Sequence, residues 1–125
     1  MVEEKRAFDR IQTEHSIKIV AADGSTFPAI ASNISLTGML ILCDEPTLNR
    51  ITPHGAATTT AQDVHVRVRM VLPDVPDSRS KLGLFGRIIS VRTGGNTDEY
   101  RIGIQFTDYE AGSYNALELY IDSRL

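Results

Sequence analysis

Two arginines four residues apart, Arg6 and Arg10, stand near the start of the chain and have side chains suited to gripping an anion. A guanidinium group is a planar fork of donors that binds phosphate through paired hydrogen bonds and stacks on flat bases. A loop segment ahead of the first strand can fold two such groups around one ligand. The alternative interpretation is a solvated N-terminal tail, which is the usual role of such charges.

A second polar segment, Asn33 to Gly38, lies between two predicted strands. Asparagine carries donors and acceptors suited to base edges, Ser35 can donate to a phosphate or a base, and Gly38 lets the backbone approach a ligand. The same residue types also form tight turns for purely local reasons. Taken alone, neither this segment nor the arginine pair distinguishes a ligand site from ordinary surface structure.

The residues that commonly carry catalysis or bind metals do not form a recognisable site. The histidines, His15, His54 and His65, are scattered without the spacing of metal ligands, and His65 is predicted to be solvated on the polar face of a strand. Cys43 ends an apolar run, which predicts a buried, inert thiol rather than a nucleophile. We therefore expect a protein that is not an enzyme and that uses neither a metal nor a cofactor.

Length and composition indicate one globular domain spanning residues 1–125, with 42% hydrophobic and 23% charged residues. No apolar run is long enough to insert into a membrane, and the charged start does not resemble a signal peptide. The single cysteine allows no internal disulfide, so we expect the cytoplasm. The net charge of −3 argues against a DNA or RNA polymer as partner.

Short strands dominate most of the chain. Apolar and β-branched runs predict strands at 16–21, 26–31, 39–43, 64–72, 82–93 and 99–106, with turns at 23–24 and 94–96. Segment 44–62 contains prolines, a glycine and a low-complexity Ala-Thr run, and it is predicted to be a long surface loop.

The last part of the chain changes to a helical pattern from Tyr109 onward. An apolar stripe recurs there at helical spacing, formed by Tyr114, Leu117, Tyr120 and Ile121. Asp108 or Ser113 is the predicted cap of this helix. Strands followed by one terminal helix favour an all-β antiparallel barrel or sandwich with the helix packed at one end.

In this order and on this scaffold, the two polar segments resemble the PilZ domain family. That family's pattern is Arg-x-x-x-Arg in an N-terminal loop, then Asp/Asn-x-Ser-x-x-Gly on a strand pair, and both are complete here. The strand ending in Leu72-Pro73, the final hairpin and the terminal helix are also similar, so the resemblance covers roughly residues 4–122. It implies a six-stranded antiparallel β-barrel with a C-terminal α-helix, preceded by a flexible ligand-binding arm at 1–12.

The resemblance also implies a ligand, the bacterial second messenger cyclic di-GMP. The family's two arginines grip phosphates and contact guanines, and these roles fall on Arg6 and Arg10. The positions that contact a guanine and the adjoining phosphate fall on Asn33, Ser35 and Gly38. Binding to such a domain would change its conformation and signal to a downstream partner protein, which the sequence does not identify.

Other basic residues are further candidates for contact with this ligand. Lys5 directly precedes the first arginine of the motif. Arg87 and Arg101 belong to the final hairpin, where a solvated strand face explains them equally well. An alternative function is a PilZ-type protein-interaction module that needs no nucleotide, although the intact motifs favour the receptor. The protein is either a monomer or a dimer.

Overall fold

The computed structural model describes residues 11–21, 24–51, 64–72, 81–93 and 99–124. Within these ranges the chain forms six strands and two helices. In chain order they are β1 (Ile11–Val20), β2 (Thr26–Ile34), β3 (Gly38–Asp44), α1 (Glu45–Ile51), β4 (His65–Val71), β5 (Lys81–Thr93), β6 (Glu99–Tyr109) and α2 (Ser113–Arg124).

The strands close into a barrel in the order β1-β2-β3-β6-β5-β4, and all neighbouring pairs are antiparallel. The predicted fold, an antiparallel six-stranded barrel with a C-terminal helix, is therefore confirmed. Closure pairs each of these strands on both sides and so removes exposed sheet edges. In this ring β3 and β4 are three positions apart, which places them on opposite sides of the barrel.

The core fills the barrel because apolar side chains alternate along the strands. Along β4, Val66, Val68 and Met70 are buried, whereas His65 and Arg69 face outward. The sequence predicted this alternation and the solvated position of His65. Burying one large aliphatic side chain contributes roughly 1.5–3 kcal/mol, so these inward positions stabilise the barrel.

The two helices close the two ends of the barrel. Helix α2 covers the end where β1 starts, with Leu117 and Ile121 fully buried against the barrel. Helix α1 covers the opposite end, where the Tyr100 hydroxyl donates to Glu45 Oε2 over 3.3 Å. Neither described helix is long and apolar enough to cross a bilayer.

The predicted surface loop over 44–62 is wrong in its first part. Asp44 is the last residue of β3, and residues 45–51 form helix α1. The Thr47 N–H donates to Asp44 Oδ1 over 2.9 Å, which caps the helix, and Leu48 and Ile51 are buried one turn apart. Residues 52–62 lie outside the described residues.

The predicted N-terminal arm over 1–12 is too long by two residues. Ile11 and Gln12 belong to β1 and pair with Ile34 and Asn33 of β2. Ile11 is also 6% exposed, so burial holds the start of the strand in the barrel. Residues 1–10 lie outside the described residues.

Helix α2 begins later than predicted because β6 continues through Tyr109. Neither predicted cap is confirmed as one, because Asp108 Oδ1 accepts from the Tyr109 N–H and Ser113 Oγ accepts from the Gly83 N–H. Ser113 is instead the first helical residue and fastens α2 to the start of β5. Tyr114 is 40% exposed and does not belong to the buried stripe.

Candidate functional site

The turn between β2 and β3 is organised by Ser35, which is 1% exposed. Its Oγ accepts hydrogen bonds from the backbone N–H groups of Thr37 and Gly38, each over 3.2 Å. Its own backbone N–H donates to the Gly38 carbonyl over 2.8 Å. The hydroxyl of Ser35 therefore faces inward, and this arrangement supports the turn-forming interpretation of the residue.

Gly38 allows this turn to pack closely against β6. A Cβ at this position would overlap the backbone carbonyl oxygen of Ile104, so only glycine fits without moving a strand. Next to it, the Phe106 N–H donates to the Thr37 carbonyl over 2.8 Å. These two backbone contacts fix the position of the turn relative to β6.

Tyr109 fastens the tip of the same turn from the end of β6. Its hydroxyl donates to the Leu36 carbonyl oxygen over 2.5 Å, and its ring packs edge-on against Phe106 and Tyr114. Burial, followed by the neighbouring Tyr114, raises the pKa of Tyr109 above its ordinary value. The phenol therefore remains protonated and keeps donating to the turn at neutral pH.

Asn33 lies at a point where two strand pairings are irregular. The register shifts between Ala31 and Asn33 in β2 and between Gln12 and His15 in β1. Such bulges bend a strand and re-aim its side chains. Asn33 is half-buried there and lines a groove on the outer surface of the barrel.

This groove, called here the Asn33 groove, has a volume of about 340 Å³. It crosses the outer faces of β2, β3, β6 and β5. Its floor is open because Gly103 has no side chain, and a Cβ there would overlap the hydroxyl of Ser90. The main lining residues are Asn33, Leu40, Ser90, Arg92, Arg101 and Gly103.

Two exposed arginines, Arg92 and Arg101, form the basic edge of the Asn33 groove. They are direct cross-strand partners on β5 and β6. Like charges directly opposite each other destabilise a sheet, and their repulsion falls when an anion lies between or over them. The groove therefore combines a polar amide, an open floor and an anion-attracting edge.

The N-terminal motif residues Lys5, Arg6 and Arg10 lie outside the described residues. The chain nevertheless enters β1 beside the turn, because Ile11 pairs with Ile34. Arg10 directly precedes Ile11 in the sequence, so its backbone is one peptide link from this pairing. The pairing thus places the turn that follows Asn33 next to the residue at which the arginine motif leads into β1.

A family model of the PilZ domain matches residues 4–123 of this sequence. The chain belongs to the PilZ domain family. No curated protein matches the sequence significantly. The predicted resemblance is confirmed over almost the whole length, from the segment that carries Arg6 to the end of α2.

Solved structures share this PilZ fold at low sequence identity. The PilZ domain of YcgR from Escherichia coli, solved with c-di-GMP, has a TM-score of 0.63 and 17% identity, covering 96% of this chain and 91% of that chain. The PilZ domain of CeSA from a cellulose-synthesizing bacterium has a TM-score of 0.59 and 21% identity, covering 94% and 99%.

The motility inhibitor MotI of Bacillus subtilis has the same fold, with a TM-score of 0.68 and 15% identity over 92% of this chain. This chain spans 48% of MotI, or about half of that protein. Identities at this level show a shared PilZ fold and do not by themselves transfer a ligand or a partner.

The PilZ barrel separates the two predicted hairpin arginines. Arg101 lines the Asn33 groove, whereas the Arg87 Nε donates to Gln105 Oε1 over 2.9 Å on the neighbouring surface. Sequence reasoning missed Arg92. The sequence does indicate that Ser90 and Arg92, two residues apart on β5, share one face of the strand. The pairing of Arg92 with Arg101, however, follows a register shift between Ile88 and Ser90 that the sequence does not reveal.

Reactive side chains do not assemble in the described part of this PilZ domain. Burial, and then the charge of Asp44, raises the pKa of the Cys43 thiol to about 11. This confirms the predicted buried thiol, which remains protonated at neutral pH. Among the described residues, no three His, Cys, Asp or Glu side chains converge as metal ligands do.

Proposed function

We propose that this PilZ domain binds cyclic di-GMP, with the ligand in the Asn33 groove and the arginines of the N-terminal motif closing over it. The observation that carries the proposal is the pairing of Ile11 with Ile34. This pairing joins the segment that ends in Arg10 to the turn at the edge of the groove. A basic, amide-lined surface and two motif arginines then serve one anionic ligand.

The chemistry of the messenger matches these groups. Cyclic di-GMP presents two negative phosphates and two flat guanine bases. Arg6 and Arg10 bind phosphate and stack on guanine, while the Asn33 amide offers both a donor and an acceptor to a base edge. Hydrogen bonds that involve a charged group contribute roughly 1.5–3 kcal/mol each, so a small number of them suffices for tight binding.

Within this proposal Ser35 and Gly38 act mainly by positioning. The inward hydroxyl of Ser35 and the missing side chain of Gly38 shape the turn that presents Asn33. Lys5 and Arg87 remain candidates for further contacts with the ligand. Arg87 would first have to break its hydrogen bond to Gln105.

Solved relatives support the choice of ligand. YcgR of Escherichia coli, MrkH of K. pneumonia and PlzA of Borreliella burgdorferi share this fold and were each solved with c-di-GMP. The present domain acts, in our proposal, as a receptor without enzyme activity that passes the signal to a partner protein. Its conformational change starts at the arm and reaches the barrel through β1.

Calorimetric titration of the full chain with cyclic di-GMP tests this proposal. We expect saturable binding that Arg10→Ala abolishes and that Arg50→Ala leaves intact. Arg50 is the matched control because its guanidinium stacks on Phe27, with 5.3 Å between the guanidinium carbon and the ring centroid, at the other end of the barrel. Unchanged binding by Arg10→Ala would refute the site. No binding by the unmodified chain would favour a nucleotide-independent interaction module.

A further inference from the structure

A second groove lies on the side of the barrel formed by β1, β4 and the start of β5. We call it the Lys18 groove, and its volume is about 590 Å³. Three exposed basic side chains, Lys18, Arg69 and Lys81, surround it. None of the three forms an ion pair with another residue in the part of the chain that the structure describes. The groove is therefore a concentrated positive surface on a protein whose net charge is −3.

Two of these cations are placed unfavourably for the isolated protein. Lys18 on β1 is the direct cross-strand partner of Arg69 on β4. Lys81 on β5 is the partner of the neighbouring Val71. Like charges directly opposite each other destabilise a sheet. A bound anion reverses this effect, so the arrangement favours a ligand rather than the stability of the barrel.

The groove already accommodates one carboxylate that belongs to this chain. The side chain of Glu110 lies over Gly83, where a Cβ would overlap it, and its carboxylate pairs with Arg67. Gly83 is the direct cross-strand partner of Arg69. A carboxylate beside a guanidinium on this floor is thus an observed arrangement, and the remaining cations lie next to it.

Apolar surface between the charges indicates which kind of anion fits. Val71 is 60% exposed, and Pro28 and Ala111 are also exposed along the groove. Such a surface suits an aliphatic side chain of a peptide better than it suits the charged phosphates of a nucleic acid. The negative net charge also repels a long polyanion such as DNA or RNA.

We propose that the Lys18 groove docks an acidic segment of a partner protein in which two carboxylates flank an apolar side chain. Lys18 and Arg69 receive one carboxylate, Lys81 receives the other, and Val71 contacts the apolar group. This inference gives the chemical class of the partner in the proposed function. It does not depend on nucleotide binding, because the Lys18 groove and the Asn33 groove share no lining residue.

Residue-resolved NMR titration tests the docking surface directly. The full chain, labelled with ¹⁵N, is titrated with a panel of short synthetic peptides that carry two Asp or Glu residues around a Leu. We expect the amide signals of Lys18, Arg69 and Val71 to move, while those of Asn33 and Gly103 stay in place. Peptides with Asn and Gln in place of the acids should not bind.

The variant Lys18→Glu separates loss of the site from loss of the fold. It converts a repulsive cross-strand pair into an attractive one with Arg69, so the melting temperature should not fall. Peptide binding should weaken by about tenfold or more, while cyclic di-GMP binding is retained. Arg101→Glu, with the same charge change on the other side of the barrel, should keep peptide binding.

Four results would overturn the proposal. They are the absence of binding by any acidic peptide, full peptide binding by Lys18→Glu, tighter binding of an oligonucleotide than of the peptides, and peptide-free signal shifts that grow with protein concentration. The third result would identify a nucleic acid as the ligand, and the fourth would identify a second copy of this chain. Failure of cyclic di-GMP binding alone would refute only the receptor function.

Discussion

The Nε2 atom of His15 lies 2.5 Å from the hydroxyl oxygen of Tyr120, and this hydrogen bond joins β1 to α2. The two rings are 5.7 Å apart between centroids, and the Arg124 guanidinium stacks on Tyr120 at 5.1 Å. Tyr120 is 3% exposed, and its hydroxyl also lies 3.5 Å from Thr13 Oγ1, so these two partners both belong to β1. The strand that begins next to the N-terminal arm is therefore fastened to the terminal helix a few residues later.

This contact makes stability dependent on pH in a defined direction. Burial, and then the positive charge of Arg124, lowers the pKa of His15 below its ordinary value of 6.5. Just below pH 6.5 the unfolded chain then binds more protons than the folded one. The contribution of neutral His15 to stability is present above that pH and is lost as the pH falls through the lowered pKa.

Thermal unfolding between about pH 7.5 and about pH 5.5 measures this dependence. We expect the melting temperature to fall towards the acidic end, and His15→Gln to flatten the dependence. His65→Gln is the matched control because His65 is exposed, and it should keep the slope of the unmodified protein. An equal slope in both variants would show that another group carries the effect.

Gly38→Ala should destabilise the barrel more than Gly83→Ala. A Cβ at Gly38 meets the backbone carbonyl oxygen of Ile104, which cannot move without shifting β6, whereas a Cβ at Gly83 meets only the flexible side chain of Glu110. Overpacking of the first kind costs roughly 1–3 kcal/mol. Urea unfolding of the two variants compares them, and equal losses would contradict the close approach of β3 to β6.

Tyr109→Phe should weaken the binding of cyclic di-GMP, although the Tyr109 side chain does not itself contact the ligand in the proposed site. It removes the donor to the Leu36 carbonyl and so loosens the turn that presents Asn33. The expected loss of stability is about 0.5–1.5 kcal/mol, typical of one hydrogen bond. Tyr114→Phe, which changes a neighbouring exposed ring in the same way, should leave cyclic di-GMP affinity unchanged in calorimetry. Equal affinities for the two variants would remove Tyr109 from the positioning of the site.

The sequence was most informative where one physical rule acts alone. Alternation of apolar residues is enough to place β4 and to turn His65 and Arg69 outward, because burial decides which face is inside. Helix α1 was missed because it has only seven residues and is followed by a low-complexity segment. Its Asp44 cap and the buried Leu48 and Ile51 were readable, but periodicity over such a short range is weak.

The candidate site was predicted as residue types rather than as an arrangement. The motif positions Asn33, Ser35 and Gly38 do meet at one turn, but the sequence does not reveal that the Ser35 hydroxyl faces inward. It also does not reveal the bulges that aim Asn33 and bring Arg92 opposite Arg101. Register depends on pairing between distant segments, which local patterns do not specify.

The Arg92–Arg101 pair yields a prediction in which affinity and stability change in opposite senses. Arg92→Ala removes a charged donor from the Asn33 groove, and we expect cyclic di-GMP affinity to fall by about 1.5–3 kcal/mol, or roughly tenfold to a hundredfold. The same change relieves repulsion with Arg101, so the melting temperature should stay level or rise slightly. A variant that lost affinity because it unfolds would instead have a lower melting temperature than the unmodified protein.

Arg87→Ala provides the comparison on the same strand. Its guanidinium is bonded to Gln105 beside the groove, so the loss of affinity should be smaller than for Arg92→Ala. Raising the salt concentration should weaken binding less in Arg92→Ala than in the unmodified protein, because one charge contact is already missing. If Arg92→Ala binds the messenger as well as the unmodified domain does, the ligand lies elsewhere on the barrel and the Asn33 groove is not its site.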